Sequence, residues 1–370
     1  MDEKNIACSA PAETQPRYDA PQIPYLPQNP RSYYPNIGLI GCGGIATFHL
    51  RACKQANFPV VALCDINKAR AEELRDEFYP KATVYTDYRE LLRKADIEVA
   101  DIATHPEIRN PMVEDALRAG KHVLSQKPFV MDLDEGKRLC DLADELDLRL
   151  AVNQNGRWAP HFSYIRQAIS MGYIGTPIAT HLATHWDHNW TAGTAFDAVR
   201  HLILYDFGIH WYDIIGTFIE DKEPLRVYAS TALAPGQKAK PSLLAQVSVE
   251  YEGAQASIAF DGSTKFGPRD TTVVVGTDGT IDSMGPDVDH QCVTLHTAQG
   301  YAIPKLEGMW FENGFHGTMA ELLCAIEEKR EPSNNARDNL KGLAICFAAV
   351  ESAEDNKPKV PGKVRRLYEA

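Results

Sequence analysis

Gly41, Gly43 and Ala46 stand in a G-x-G-x-x-A pattern directly after the apolar run Ile37–Ile40, and helix-compatible residues 47–55 follow. That order suits a dinucleotide. Gly41 permits a tight turn, and Gly43 lets backbone approach a pyrophosphate. Gly44 and Ile45 lead into a helix whose first N–H groups face the phosphates, and Ala46 lets that helix lie close to the strand. The next apolar run, 60–64, ends in Asp65. Its carboxylate can accept from a ribose diol and would repel a 2′-phosphate, which favours NAD over NADP, although Lys68 and Arg70 follow closely. Asp65 also stands where it could cap a helix beginning near Asn67. Two further stretches carry chemistry. Lys127, held before Pro128, sits at the end of another apolar run, where an ammonium can polarise a substrate oxygen or relay a proton. Asp206, His210 and Asp213 lie at helical spacing, so a carboxylate and an imidazole share one face. Such a pair can take a proton from an alcohol while hydride leaves, and it is equally the pattern of a capping Asp and a satisfied buried histidine.

The elements that must position these groups alternate along the first half. Strands are expected at 36–40, 58–64, 82–85, 98–103, 121–125 and 149–153, with helices near 44–56, 67–78, 87–94, 109–119 and 134–147. Short apolar runs between amphipathic helices predict a doubly wound parallel sheet, the Rossmann arrangement. Ligands bind beyond the carboxyl ends of its strands, which selects Thr104 and His105 after the fourth strand and Gln126 and Lys127 after the fifth. From residue 175 to about 275 β-branched alternating runs take over, at 177–186, 225–231, 244–251, 255–260 and 271–275. These predict a second α/β domain with a large, mostly antiparallel sheet.

Composition sets the remaining bounds. The 370 residues suffice for two domains, and the formal charge of −12 argues against nucleic acid or an anionic membrane as partner. No apolar run is long enough to span a bilayer, and the first residues lack the apolar core of a signal peptide. Cys42, Cys53, Cys64, Cys140, Cys324 and Cys346 stand in apolar surroundings without any C-x-x-C pair, which suggests free thiols in a reducing, cytoplasmic setting. Residues 1–35 carry seven prolines together with Tyr18, Tyr25, Tyr33 and Tyr34. They form either a disordered tail or an extended arm that docks its tyrosines. The expected organisation is an arm over 1–35, an NAD-binding domain over 36–154 and a substrate-binding domain over 155–370.

Three separated motifs make the chain resemble the Gfo/Idh/MocA oxidoreductases, named for glucose–fructose oxidoreductase and inositol dehydrogenase. They are Gly41–Ala46, the segment from Ala119 to Pro128, and Asp206-x-Gly208-x-His210-x-x-Asp213. Residues 155–160, Gly172-x-Ile174-Gly175 and the helical stretches 321–327 and 342–354 fit as well. The resemblance implies a nucleotide-binding domain followed by an α/β domain whose open sheet often joins subunits, hence a homodimer or homotetramer. It places the family's lysine on Lys127 and its aspartate and histidine on Asp206 and His210, with His210 as acid/base, and it makes Lys127–Pro128 a candidate cis peptide. Two departures stand out: Gln126 replaces the family's usual glutamate, and the histidine after the fourth strand falls on Asn110.

The expected activity is therefore NAD(P)-dependent oxidation of a CH–OH group, NAD preferred, in a sugar, sugar derivative or cyclitol. Asn155, Arg157, His185, Trp186 and Asp187 are candidate substrate contacts, a tryptophan being suited to stack on a pyranose face. His181, His185 and Asp187 on one strand face are also a metal-ligand pattern, but hydride transfer needs no metal and none is expected. Three alternatives stay open. A retained NAD could run an internal redox cycle between two sugars or through a keto glycoside. Reduction of a non-sugar carbonyl could be the natural direction. A sensor could have kept the fold and lost the chemistry.

Overall fold

The structure is a computed structural model that describes residues 15–367; residues 1–14 of the expected arm and the last three residues lie outside the described residues. Two compact units divide the chain, one made of Leu26–Trp158 and Phe311–Leu340, the other of residues 15–25, Ala159–Trp310 and 341–367.

The first unit alternates strand and helix: β1 (Ile37–Ile40), α1 (Ala46–Gln55), β2 (Val60–Cys64), α2 (Lys68–Phe78), β3 (Thr83–Tyr85), α3 (Tyr88–Lys94), β4 (Val99–Ile102), α4 (Pro106–Arg118), β5 (His122–Gln126), α5 (Leu133–Glu145) and β6 (Leu150–Asn153). The strands are all parallel in the order β3-β2-β1-β4-β5-β6. β1 and β4 are buried along their whole length, as expected of strands covered on both faces. The order reverses between β1 and β4, which opens a crevice at their carboxyl ends. Helices start where the sequence offers caps. Asn67, Asp87 and Asp132 each accept backbone N–H bonds at the first turn of α2, α3 and α5.

A single cut at 154/155 does not describe this unit, because residues 311–340 return to it. Most of the helix α8 (Trp310–Glu327) belongs here, and its Met319, Ala320, Leu322 and Leu323 are buried with Leu39, Val99, Leu124 and Ala151 in one core. Apolar burial of that face draws the segment back.

The second unit holds α6 (Pro160–Ser170), β7 (Pro177–His185), α7 (Ile209–Phe218), β8 (Pro224–Ala232), β9 (Leu244–Tyr251), β10 (Ala254–Asp261), β11 (Arg269–Gly276), β12 (Gly279–Gly285), β13 (Cys292–Thr297), β14 (Gly300–Ala302) and most of α9 (Ala336–Asp355). Its eight strands run in the order β14-β13-β12-β11-β7-β10-β9-β8. All neighbours are antiparallel except β7 and β10, which are parallel. The expected α/β architecture with a large, mostly antiparallel sheet is the one observed. β9 alternates buried and exposed residues, so one face of the sheet is core. On that buried face Thr184 donates to Asp270 Oδ2 (3.0 Å), and burial pushes the Asp270 carboxyl up to about 7.

Residues 15–35 are an extended strap docked on their own chain. In the second unit Tyr25 meets Tyr164 edge-on with ring centroids 6.1 Å apart, and Tyr18 N–H donates to Tyr301 O (2.9 Å). In the first, Tyr34 packs on Phe58 at 5.9 Å, and one carboxylate holds the turn before it. Glu327 accepts from the N–H groups of Arg31 (2.8 Å), Ser32 (2.7 Å) and Tyr33 (2.9 Å) and from the Ser32 hydroxyl (2.7 Å). The Ser32 hydroxyl and these N–H groups hold the Glu327 carboxyl down at about 2. The six cysteines singled out in the sequence are free and buried.

Two predictions follow from these carboxyls. Because the Glu327 pKa is depressed, its grip is complete above the ordinary glutamate range near pH 4.5 and fades as pH falls toward 2. E327A should therefore speed amide exchange at residues 31–33 by roughly tenfold at neutral pH, and unchanged exchange would show that the carboxylate does not order the strap. Asp270 has the opposite sign: the folded protein binds its proton more tightly than the unfolded chain, so stability falls as pH rises from about 4 to 7. Urea midpoints for D270N should show less loss than the wild type between pH 5 and 8, by up to about 3 kcal/mol. Parallel pH curves for the two would refute a shifted Asp270.

Candidate active site

The dinucleotide residues come together on the first unit. β1 runs into Gly41, whose φ is +98°; a Cβ there would lie 2.9 Å from Ala103 O and from Thr104 Cγ2, so conformation and space both demand glycine. At Gly43 and Gly44 a Cβ would meet nothing within 4 Å, which leaves backbone open to a ligand. α1 then begins at Ala46, itself fully buried. The preceding Ile45 supplies no side-chain cap and the first turn carries no acid, so no carboxylate competes at the positive end of the helix dipole. Asp65 leaves β2 beside this loop. Its Oδ2 accepts from Cys42 N–H (2.8 Å) and its Oδ1 from Asn67 N–H (2.8 Å), while the capping bond to α2 is made by Asn67, from Ala69 N–H (3.2 Å). Glycines facing open space, an uncapped helix start and a strand-end carboxylate are the donor and acceptor set a dinucleotide requires. The residues fit it.

The loop after β5 is fixed from several sides. Lys127–Pro128 is cis, as the resemblance implied. Arg109, 1 % exposed, donates to the carbonyls of Gln126, Pro128 and Thr104, the last through Nε at 3.0 Å. It thus ties the loops after β4 and β5 together around Lys127. Of the α4 side chains, Arg109, one residue before the Asn110 that departs from the family pattern, donates to both loops. A signal existed. Arg109 falls on the stripe Val113, Ala116, Leu117, and an arginine on the apolar side of a helix must find acceptors. Gln126 is turned inward at 5 % exposure, its Oε1 accepting from Lys127 N–H (2.6 Å) and its Nε2 meeting His49 Nε2 at 3.2 Å. Thr104 Oγ1 contacts Met112 Sδ at 3.6 Å, and His105 precedes the first residue of α4 without a side-chain capping bond.

Asn155 and Arg157 lie in a short 3-10 turn after β6, each 4 % exposed. Arg157 donates to Ser333 O and reaches Asp338 Oδ2 at 3.3 Å, so the structure gives it a framework contact within the first unit.

On the second unit, Asp206 lies in a π-helical turn, Ile203–Phe207, that passes into α7. Phe207 N–H donates to Leu202 O (3.1 Å) and Gly208 N–H to Ile203 O (2.8 Å), both five-residue closures. The expectation of a regular helix through this segment is therefore corrected: residues 203–207 close as a wider turn before α7 begins. Gly208 is required by the same turn, since a Cβ would lie 2.5 Å from Leu204 O and 2.8 Å from Ile203 O. His210 is half-buried between indoles, with ring centroids 5.5 Å from Trp310 and 6.3 Å from Trp211. Trp211 in turn packs on Trp310, Trp186 and Phe260. Trp186 stacks on His188 at 5.4 Å, and burial pushes the His188 imidazole down to about 4. His185 Nδ1 lies 2.6 Å from Asp261 Oδ2, and Asp187 Oδ1 accepts from Asn189 N–H (3.0 Å). β7 ends at His185, so the expected face shared by His181, His185 and Asp187 stops short, and His181 Nδ1 pairs with Ser257 Oγ at 2.7 Å. Among the described residues, no three His, Cys, Asp or Glu side chains converge as metal ligands.

Comparison with known proteins agrees with this layout. The description "Oxidoreductase family, NAD-binding Rossmann fold" matches residues 35–154, and "GFO/IDH/MocA C-terminal domain" matches residues 162–282. The chain belongs to the GFO/IDH/MocA oxidoreductase family. Among curated relatives, D-apiose dehydrogenase of Paraburkholderia graminis is 26 % identical, over 86 % of this chain and 88 % of that protein. Inositol 2-dehydrogenase of Rhizobium meliloti is 25 % identical, over 87 % and 97 %. Among solved structures, an oxidoreductase from Agrobacterium radiobacter in complex with NAD+, L-tartaric acid and magnesium shares the fold with TM-score 0.81 at 24 % identity, covering 89 % of this chain and 99 % of that one.

The π turn yields a direct test. G208A should cost about 1–3 kcal/mol in denaturant unfolding, because the added methyl collides with two carbonyls of its own turn. An unchanged midpoint would mean that the turn accommodates a side chain.

Proposed function

We propose that the protein is an NAD-dependent dehydrogenase that oxidises a secondary hydroxyl of a sugar, sugar derivative or cyclitol. The observation that carries this reading is the half-buried His210 at the start of α7, set against Trp211 and Trp310 and next to the turn that bears Asp206. An imidazole beside indoles suits a hydroxylated ring, with apolar CH faces to stack and a hydroxyl to deprotonate. The names of the relatives support the substrate class: D-apiose dehydrogenase, inositol 2-dehydrogenase and, at TM-score 0.76, a levoglucosan dehydrogenase in complex with NADH and levoglucosan.

Gly41, Gly43, Gly44 and the start of α1 would hold the pyrophosphate, and Asp65 the adenosine ribose. The Asp65 carboxylate already gathers two backbone N–H groups, so it can accept from a diol but would repel a 2′-phosphate, which supports NAD over NADP. The bound dinucleotide supplies the two-electron acceptor for the hydride. His210 takes the hydroxyl proton as the carbonyl forms, Asp206 orients the imidazole, and the Lys127 ammonium stabilises negative charge developing on the oxygen. Trp211 and Trp310 keep water from the imidazole.

The test is reduced-nicotinamide absorbance with NAD and with NADP across sugars, cyclitols and glycosides at known enzyme concentration. Many equivalents per subunit with NAD are expected, and H210N and K127M should each lose about 10²–10⁴ in kcat while still binding NAD. Full turnover by H210N would remove the proposed mechanism. Absorbance that stops near one equivalent would point instead to a retained cofactor and an internal redox cycle.

A further inference from the structure

The inward side of Gln126 belongs to a buried chain of polar side chains whose hydrogen positions follow from its Lys127 end. Gln126 Oε1 faces Lys127 N–H at 2.6 Å, and an N–H can only donate, so the atom turned to His49 is the amide nitrogen. At the other end Asn153 Nδ2 lies 3.1 Å from His49 Nε2 and its Oδ1 2.9 Å from Thr318 Oγ1, a hydroxyl that also lies 3.1 Å from Phe315 O. The Gln126 N–H thus meets His49 Nε2, which must be an acceptor. The imidazole proton is therefore on Nδ1, where it donates to Asp101 Oδ2 at 2.8 Å. His49 is 3 % exposed and Asp101 1 %, and Phe315 packs edge-on against the ring at 4.8 Å. Every member of this chain lies in the first unit.

We propose that His49 is a positioning residue for Lys127, acting through Gln126: its Nε2 lone pair fixes the Gln126 amide, and the amide oxygen fixes the backbone N–H of Lys127. This rests on the reading that Lys127 takes part in the chemistry. The arrangement explains why an amide serves at position 126. A carboxylate there would offer Lys127 an acceptor but present no N–H to His49, and the chain would close only if the imidazole took up a second proton between that carboxylate and Asp101. The titratable neighbours are Asp101 from β4 and, one turn along α1, Cys53, whose thiol burial raises well above its ordinary value. β5, β6 and α8 present Gln126, Asn153, Thr318 and Phe315.

Two substitutions at His49 separate the two ring nitrogens. H49N keeps an N–H aimed at Asp101 and removes the acceptor; H49Q places an amide oxygen near the position of Nε2. H49N should lower kcat roughly ten- to a hundredfold with the NAD dissociation constant unchanged within about twofold, and H49Q should remain within about threefold of wild type. Equal losses in the two variants, or a loss confined to NAD affinity or melting temperature, would overturn the proposal. Q126E provides a second readout that does not depend on H49N folding. Its kcat should fall about tenfold with rising pH along a new alkaline limb, absent in wild type and absent again in H49Q/Q126E, whose amide can turn an N–H to the new carboxylate. A Q126E profile parallel to wild type would also overturn it. K127M separates the premise from the inference. If K127M turns over normally, Lys127 has no role and the positioning falls with it; if K127M is inactive while H49N matches wild type, only the inference fails.

Discussion

Where a parallel strand ends, its backbone leaves the ladder, and the freed N–H and carbonyl groups still need partners. The first unit is organised around that constraint. After β2 the Asp65 carboxylate collects the N–H groups of Cys42 and Asn67. After β4 and β5 the buried Arg109 guanidinium collects the carbonyls of Thr104, Gln126 and Pro128. An arginine suits this place because its planar, permanently charged fork can serve several carbonyls at once and never loses its proton. The loops that flank the crevice are thereby held by charged groups rather than by packing alone, and the open ground in front of Gly43 and Gly44 is free for a ligand.

Much of this was legible in the residues. The G-x-G-x-x-A turn, the acid ending β2 and the alternation of short apolar runs with amphipathic helices located the parallel sheet strand by strand, because such strands are buried on both faces and leave an unbroken apolar trace. Legibility failed where period and burial part company. β12 to β14 were missed because Asp282, Ser283, Thr294 and His296 interrupt the apolar alternation that marks a strand. The return of residues 311–340 was invisible, since an amphipathic helix announces a face to bury and not the sheet that will bury it. The π turn at Ile203–Phe207 was read as ordinary helix, since nothing in residue type separates five-residue from four-residue closure; only Gly208, forced by two carbonyls, carried a trace of it.

Arg109 and His49 teach a related lesson. Both sit on the apolar stripes of their helices, Arg109 ahead of Val113, Ala116 and Leu117, and His49 beside Leu50 and Cys53. Polar groups in such places are costly unless satisfied, so they point to partners elsewhere in the chain. The partners proved to be groups around Lys127, which a reading limited to motifs passes over.

The two units carry different halves of the expected chemistry, and they achieve it with different materials. The first offers backbone dipoles, a carboxylate for a diol and an ammonium on a fixed peptide. The second offers an imidazole among indoles. The polar chain behind Lys127 shows how the first half is held in place. Asp101 accepts from the imidazole, that imidazole accepts from the Gln126 amide, and the amide oxygen accepts from the Lys127 N–H, while the Arg109 guanidinium holds the carbonyl of the same peptide. A buried carboxylate at position 126 would have coupled that peptide to the protonation of His49. With glutamine there, an amide rather than a carboxylate links the imidazole to the Lys127 N–H, and the proposed reaction leaves the hydroxyl proton to His210.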